Sequence, residues 1–115
     1  MYSAQEIQQF LSEKSAQLNA CRHHLHQHPE IGLQLPETSA FIEKELRSYG
    51  VDEIHKGFGS SALVAVIHGK KKSDKWIGLR ADMDALPLLE QSGAEYASVN
   101  EKRAHSCGHD GHMTV

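Results

Sequence analysis

The sequence predicts an α/β layered domain, because helical periodicity in its first half gives way to short β-branched runs in its second half. Apolar residues recur at three- and four-residue intervals up to Leu25, whereas residues 61–67 and 76–82 are apolar at nearly every position. Runs of the second kind are typical of strands that helices cover on both faces. Hydrophobic residues make up 39% and charged residues 23% of the 115-residue chain, which excludes a disordered chain and suits a single domain.

The first helix is predicted to follow Ser3 and to end before Pro29, which cannot continue a helix. Ser3 and Glu6 have the spacing of a capping box, in which the hydroxyl and the carboxylate satisfy free backbone amides of the first turn. An apolar stripe follows at three-, four- and seven-residue spacing, which is typical of an amphipathic helix. The stripe consists of Ile7, Phe10, Leu11, Leu18, Cys21 and Leu25.

The second helix is predicted over residues 38–49, after a proline-bracketed loop over residues 29–36. Gly50 is suited to end this helix, because glycine adopts the left-handed backbone conformation without steric cost. Residues 61–67 and 76–82 are then predicted to pair as an antiparallel hairpin, since the segment between them is polar and turn-forming.

The charge balance argues against binding to nucleic acid. The net charge is −3 with a pI near 6.3, and the basic run over residues 70–72 is followed by Asp74, whereas binding to phosphates needs clustered Lys and Arg. No apolar stretch approaches the roughly 20 residues that span a bilayer, and the N-terminal residues lack the features of a secretion signal. We therefore expect a cytoplasmic protein that binds neither nucleic acid nor membrane. The two cysteines are too few to form a disulfide scaffold.

Residues 107–112 combine a thiol with two imidazoles, in Cys107, His109 and His112. Thiolate and imidazole are donors that zinc favours, and the Cys-x-His spacing allows both to reach one metal pair from a tight turn. A polar loop with a free thiol and two surface histidines explains this motif equally well. Further ligands would be needed in either kind of zinc site, because a catalytic zinc has about three protein ligands and a structural zinc has four.

Two other segments carry groups suited to chemistry. Asp82 and Asp84 follow an apolar run, and on a continuing strand their carboxylates would point to the same side, where one could bind a metal or orient a metal-bound histidine. Taken alone, this motif is better explained by two solvated aspartates before Pro87. His23, His24 and His26 point in different directions on a helix, and only His24 and His28 have the i,i+4 spacing of a pair. Structural or substrate-side roles are therefore favoured in residues 23–28 over metal ligation.

Three segments in this order carry a resemblance to a known family: residues 22–38 (RHHLHQHPEIGLQLPET), residues 78–88 (GLRADMDALPL) and residues 105–115 (HSCGHDGHMTV). They resemble the N-terminal part of the metal-dependent aminoacylase and carboxypeptidase superfamily. The most similar branch holds hippurate hydrolases, N-acyl-amino-acid amidohydrolases, N-acetyldiaminopimelate deacetylases and auxin-conjugate hydrolases. The resemblance implies a three-layer, zinc-exopeptidase-like α/β catalytic domain, of which residues 1–115 would form the N-terminal part.

The resemblance also implies roles for individual residues. Cys107 and His109 match the two metal ligands that the branch has in this turn, and His112 matches the second histidine of the motif, which has no firm ligand role. Asp84 matches a carboxylate that orients a metal ligand. Asp82 stands where more distant relatives have a metal-binding histidine. Asp82 and Asp84 are therefore the catalytic positions that the resemblance implies within this chain.

The activity implied by the resemblance is hydrolysis of the amide bond of N-acyl amino acids, with two divalent metal ions (zinc, or manganese, cobalt or nickel) and small-molecule substrates. The remaining ligands, a glutamate general base and a lid domain for dimerisation are expected outside this chain. The chain alone is therefore expected to be an inactive fragment, and the full-length protein a homodimer. The alternative is a small His- and Cys-rich module for metal storage or delivery, which would also explain nine histidines.

Overall fold

The computed structural model describes residues 2–115 as an α/β chain with three helices and one small antiparallel sheet. The elements in chain order are α1 (Ala4–Gln27), α2 (Pro36–Ser48), β1 (Glu53–His55), β2 (Val64–Val66) and α3 (His109–Thr114). The predicted α/β class is thereby confirmed. Within this described part, no helix is long and apolar enough to cross a membrane.

The predicted capping box starts α1. The Ser3 hydroxyl accepts a hydrogen bond from the Glu6 amide at 3.2 Å, and the Glu6 carboxylate accepts one from the Ser3 amide at 2.7 Å. The helix ends at Gln27, before the predicted limit at Pro29. Its C-terminal half carries Cys21 and Leu25 into the core, whereas apolar side chains of its N-terminal half stay at least half exposed: Ile7, Phe10 and Leu11.

The second helix begins at Pro36, two residues before the predicted start. Proline suits this first position, because an amide there would have no partner within the helix. The Glu30 carboxylate compensates for a missing side-chain cap, since it accepts a hydrogen bond from the Thr38 amide at 2.6 Å. Gly50 follows the helix with a φ of 76°, which is the left-handed ending that the sequence predicts.

The predicted pairing of residues 61–67 with residues 76–82 is wrong. β2 pairs instead with β1, in a register that places Ile54 opposite Ala65. Residues 76–82 form no strand and are not covered by helices, so their apolar side chains are largely exposed: Trp76 at 74%, Ile77 at 90% and Leu79 at 96%. An apolar run indicates strand propensity, but it does not identify the partner strand, and no strand in the described residues pairs with this run.

The buried core lies where the C-terminal half of α1 packs against α3. A second contact brings residues 84–86 to the chain just before α3, because Leu86 and Ala104 exchange both backbone hydrogen bonds at 3.0 Å. The segment that contains Asp82 and Asp84 therefore lies beside the turn that contains His109. Few apolar residues of the described part of the chain are buried: Cys21, Leu25, Leu35, Ala85 and Ala104.

Candidate metal centre

The turn before α3 depends on Gly108. This residue has a φ of 85° at the N-cap of the helix, a left-handed conformation that a residue with a Cβ adopts only with strain. The Gly108 carbonyl accepts hydrogen bonds from the amides of Gly111 at 3.0 Å and His112 at 3.1 Å, so the helix begins directly after it. His109 is consequently the first residue of α3, and Cys107 lies on the other side of the same tight turn.

The contacts of His109 determine which of its ring nitrogens can bind a metal. Its Nδ1 lies 2.8 Å from the backbone carbonyl oxygen of Asp84 and 3.2 Å from the Asp84 carboxylate. A carbonyl oxygen only accepts, so Nδ1 carries a proton and donates it, and in the neutral ring the lone pair is therefore on Nε2. Metal-binding histidines commonly donate from one ring nitrogen to a carbonyl or carboxylate in this way, and that bond fixes the ring orientation.

The backbone carbonyl that receives this bond is itself fixed. The same peptide unit presents the Ala85 amide on its other side, and that amide donates to the Glu30 carbonyl at 2.7 Å. The peptide between residues 84 and 85 is therefore held by hydrogen bonds at both of its polar atoms. It connects the loop after α1 with the His109 ring.

Asp82 faces the free nitrogen of His109. Its Oδ2 lies 3.8 Å from His109 Nε2, which is too long for a hydrogen bond, while its Oδ1 forms an ion pair with Arg80 at 2.5 Å. A carboxylate at this distance makes the surroundings of Nε2 electrostatically favourable for a cation. The structure thus brings three of the predicted residues together, namely His109, Asp82 and Asp84.

Within residues 2–115, the side chains of Cys107 and His112 form no hydrogen bond with these three residues. Cys107 is a free and exposed thiol, and the His112 ring centre lies 5.6 Å from that of His109. Residues 2–115 contain no group of three or more His, Cys, Asp or Glu side chains arranged to hold a metal ion. The donor types present nevertheless fit a divalent metal: a thiol and an imidazole nitrogen with an available lone pair, on one turn and beside a carboxylate.

A buried ionic network behind the turn was not predicted. His26 Nδ1 lies 2.8 Å from the Asp110 carboxylate, and His26 Nε2 lies 2.9 Å from Glu90. Arg22 Nε donates to the same Asp110 oxygen at 3.1 Å. The side chains of Asp110, His26 and Glu90 are only 2%, 9% and 11% exposed, so this network belongs to the interior.

Both ring nitrogens of His26 face carboxylates, and ionised carboxylates only accept hydrogen bonds, so the ring is an imidazolium. Burial acts to lower the pKa of His26, but the bonds to Glu90 and Asp110 outweigh it and raise that pKa. Burial alone would raise the pKa of Glu90, yet hydrogen bonds from Ser92, the Ser98 amide and His26 lower it to about 2. Burial likewise disfavours the charge on Asp110, and its bond from His26 is the main effect that lowers its pKa.

The other histidines near the site have packing roles or lack partners. His24 stacks on Phe41 with ring centres 4.1 Å apart, and His23 stacks on Tyr96 at 3.8 Å. His105 is buried, and neither of its ring nitrogens has a hydrogen-bond partner within residues 2–115. Burial lowers the pKa of His105. The preference for structural roles over metal ligation in residues 23–28 agrees with these contacts.

The comparisons with known proteins concern this same region. Residues 78–115 match the family model described as Peptidase family M20/M25/M40, and that range contains Asp82, Asp84, Cys107, His109 and His112. The chain is related to the M20 peptidases. The sequence-based resemblance is thereby confirmed.

Relatives with assigned names support the relationship over most of the chain. N-acetyldiaminopimelate deacetylase of Oceanobacillus iheyensis is 41% identical over 99 residues, which are 86% of this chain and 26% of that protein. Hippurate hydrolase of Campylobacter jejuni is 44% identical over 93 residues, or 81% of this chain and 24% of that protein. N-acyl-L-amino acid amidohydrolase of Geobacillus stearothermophilus is 37% identical over 96% of this chain and 30% of that protein. The chain thus spans roughly a quarter of the length of these relatives.

Two crystal structures share the fold of this M20-related chain. A proposed aminohydrolase from methicillin-resistant Staphylococcus aureus has a TM-score of 0.87 at 33% identity, over 97% of this chain and 29% of that one. The Bacillus subtilis YXEP protein, described as a dinuclear metal binding peptidase from the M20 family, has a TM-score of 0.79 at 35% identity, over 86% of this chain and 27% of that one.

Proposed function

We propose that the complete gene product containing this chain is a metal-dependent hydrolase that cleaves the amide bond of N-acyl amino acids. The observation that carries the proposal is the state of His109, whose Nδ1 donates to the Asp84 carbonyl at 2.8 Å and whose Nε2 is free beside Asp82. Relatives named as a hippurate hydrolase, an N-acyl-L-amino acid amidohydrolase and a deacetylase support this substrate class.

Cys107 and His109 would hold the metal in this proposal, through the thiolate sulfur and Nε2. Asp84 orients His109 through its backbone carbonyl and its carboxylate, and Asp82 contributes negative charge beside Nε2. When bound, a divalent metal supplies Lewis acidity toward the amide carbonyl. Sulfur and imidazole donors favour zinc among the divalent metals available, so we propose zinc, with two ions as the description of the YXEP protein suggests.

The alternative of a metal-storage module is disfavoured by the arrangement of donors. Storage requires complete ligand sets, and residues 2–115 contain no preformed group of three donors. The observed arrangement suits a site that residues elsewhere in the gene product complete. We further propose that the complete gene product is a homodimer, on the basis of the family resemblance.

The proposal is tested on the complete gene product with hippurate and N-acetyl amino acids as substrates. Removal of metal by a chelator should abolish hydrolysis, and zinc, manganese, cobalt or nickel should restore it. Cys107→Ser should lose both bound metal and activity, because a neutral hydroxyl replaces a soft anionic donor. Cys21→Ser is the matched control and should retain both. Full hydrolysis by a sample shown to be free of metal would overturn the proposal.

A further inference from the structure

We infer that His26 is a positioning residue for the metal-binding turn and acts on His109 through Asp110. This inference rests on the proposed metal binding by Cys107 and His109. His26 belongs to α1, and its hydrogen bonds go to Asp110 and Glu90 and not to Cys107 or His109. It reaches the turn through the Asp110 carboxylate, which follows His109 directly in the chain and is 2.8 Å from His26 Nδ1.

Of the two carboxylates that bond His26, Asp110 depends on this bond for its position more than Glu90 does. Glu90 is also held by the Ser92 hydroxyl and by the Ser98 amide, which lies 2.7 Å from its second oxygen. Loss of His26 therefore leaves Glu90 anchored. The only other side chain that bonds the Asp110 carboxylate, among the described residues, is Arg22, which is 40% exposed. The position of Asp110 consequently depends on His26 much more than the position of Glu90 does.

Fixing Asp110 fixes the direction of His109. Neighbouring residues of a helix are offset by about 100° around its axis, so a buried side chain at one position sets the rotation of the first turn. Asp110 points inward to α1, whereas His109 points to Asp84. A rotation of the turn that released Asp110 would move His109 Nδ1 away from the Asp84 carbonyl, and Nε2 would lose its defined direction.

Two nearly isosteric substitutions separate the two contacts. The amide nitrogen of Asn occupies nearly the position of histidine Nδ1, so His26→Asn retains a donor to Asp110 and loses the bond to Glu90. The amide nitrogen of Gln corresponds to Nε2, so His26→Gln retains the bond to Glu90 and loses the bond to Asp110. His28→Asn is the matched control, since His28 is exposed near the end of the same helix.

The experiment measures the zinc affinity of the complete gene product by competition with a fluorescent chelator, together with the imidazole ¹⁵N shifts of His109 in the metal-free protein. His26→Gln should weaken zinc binding about tenfold, as loss of outer hydrogen bonds to a metal ligand commonly does, and should shift the His109 resonances. His26→Asn and His28→Asn should keep the wild-type affinity and the wild-type His109 resonances. Equal losses in His26→Asn and His26→Gln, or no loss in either, would overturn the inference.

Failure of the proposed metal-dependent function would give a different result from failure of the inference about His26. In that case the wild-type protein does not bind zinc, or Cys107→Ser binds it as tightly as wild type. Circular dichroism at the assay temperature verifies that each variant is folded. Should His26→Gln not fold, Asp110→Asn replaces it as the variant with a weakened bond to His26. Asp110→Asn should then weaken zinc binding while His26→Asn does not, and equal losses in both variants, or no loss in either, would overturn the inference.

Discussion

Replacement of Asp110 by alanine should destabilise the fold far more than replacement of its exposed partner Arg22. Asp110 and His26 are almost completely buried, so water cannot take the place of the lost carboxylate, and breaking a buried charge pair costs about 3–5 kcal/mol. Glu90 still neutralises the other side of the His26 ring, so we expect Asp110→Ala to lie at the lower end, about 3 kcal/mol.

Arg22→Ala is the control for this prediction. The Arg22 side chain is 40% exposed, and Asp110 keeps its bond from His26 when Arg22 is lost, so we expect a loss of only about 0–1 kcal/mol, as for exposed ion pairs. Urea denaturation at pH 7, followed by far-ultraviolet circular dichroism, gives the free energy of unfolding of the wild type and both variants. If Asp110→Ala costs no more than Arg22→Ala, the network does not stabilise the interior and the reasoning is refuted.

Four further predictions concern the protonation of Glu90 and His26, the protection of Cys107 by metal, and the exposed Leu79. The pKa of Glu90 is lowered from 4.5 to about 2, so the stability that ionised Glu90 gives the fold is complete above pH 4.5 and disappears as the pH falls toward 2. In urea denaturation, Glu90→Gln should make the free energy of unfolding less dependent on pH over this range. The pKa of His26 is raised, so its contribution to the free energy of unfolding depends on pH in the opposite direction. This contribution is complete below about pH 6.5 and is lost as the pH rises through the raised pKa. His26→Gln should remove this loss of stability. In the complete gene product with metal, Cys107 should resist alkylation until a chelator is added. The buried Cys21 should be labelled slowly both with and without chelator. If mass mapping finds Cys107 equally reactive in both conditions, Cys107 is not a metal ligand. Leu79→Lys should change the free energy of unfolding of the 115-residue chain by less than about 0.5 kcal/mol, because that side chain is 96% exposed, and a larger loss in urea denaturation would show that it is covered.

Features encoded locally were predictable from the sequence. The capping box of Ser3 and Glu6 and the left-handed Gly50 depend on residues within a few positions of each other, and the structure has both. The donor types of Cys107 and His109 were also predictable, because the preference of metals for sulfur and imidazole donors depends on residue identity alone.

Features that depend on distant residues were not predictable. The strand pairing failed because residues 53–55 show too weak a pattern to be recognised as a partner, while the stronger apolar run over residues 76–82 forms no strand. The network around His26 joins residues 64 and 84 positions away, and nothing in the local sequence marks Glu90 as the partner of a histidine. Such contacts are properties of packing rather than of periodicity.

The doubly held peptide between Asp84 and Ala85 limits what a mutational scan of this site can reveal. Its carbonyl, which accepts the closer bond from His109, is present whatever side chain stands at position 84, so Asp84→Ala removes only the more distant carboxylate contact at 3.2 Å. The bond that the Ala85 amide donates to Glu30 polarises the same peptide and strengthens its carbonyl as an acceptor. The orientation of the His109 ring thus depends on the main chain. Alanine scanning leaves the main chain unchanged, so a backbone replacement such as an amide-to-ester exchange is needed to detect this contribution.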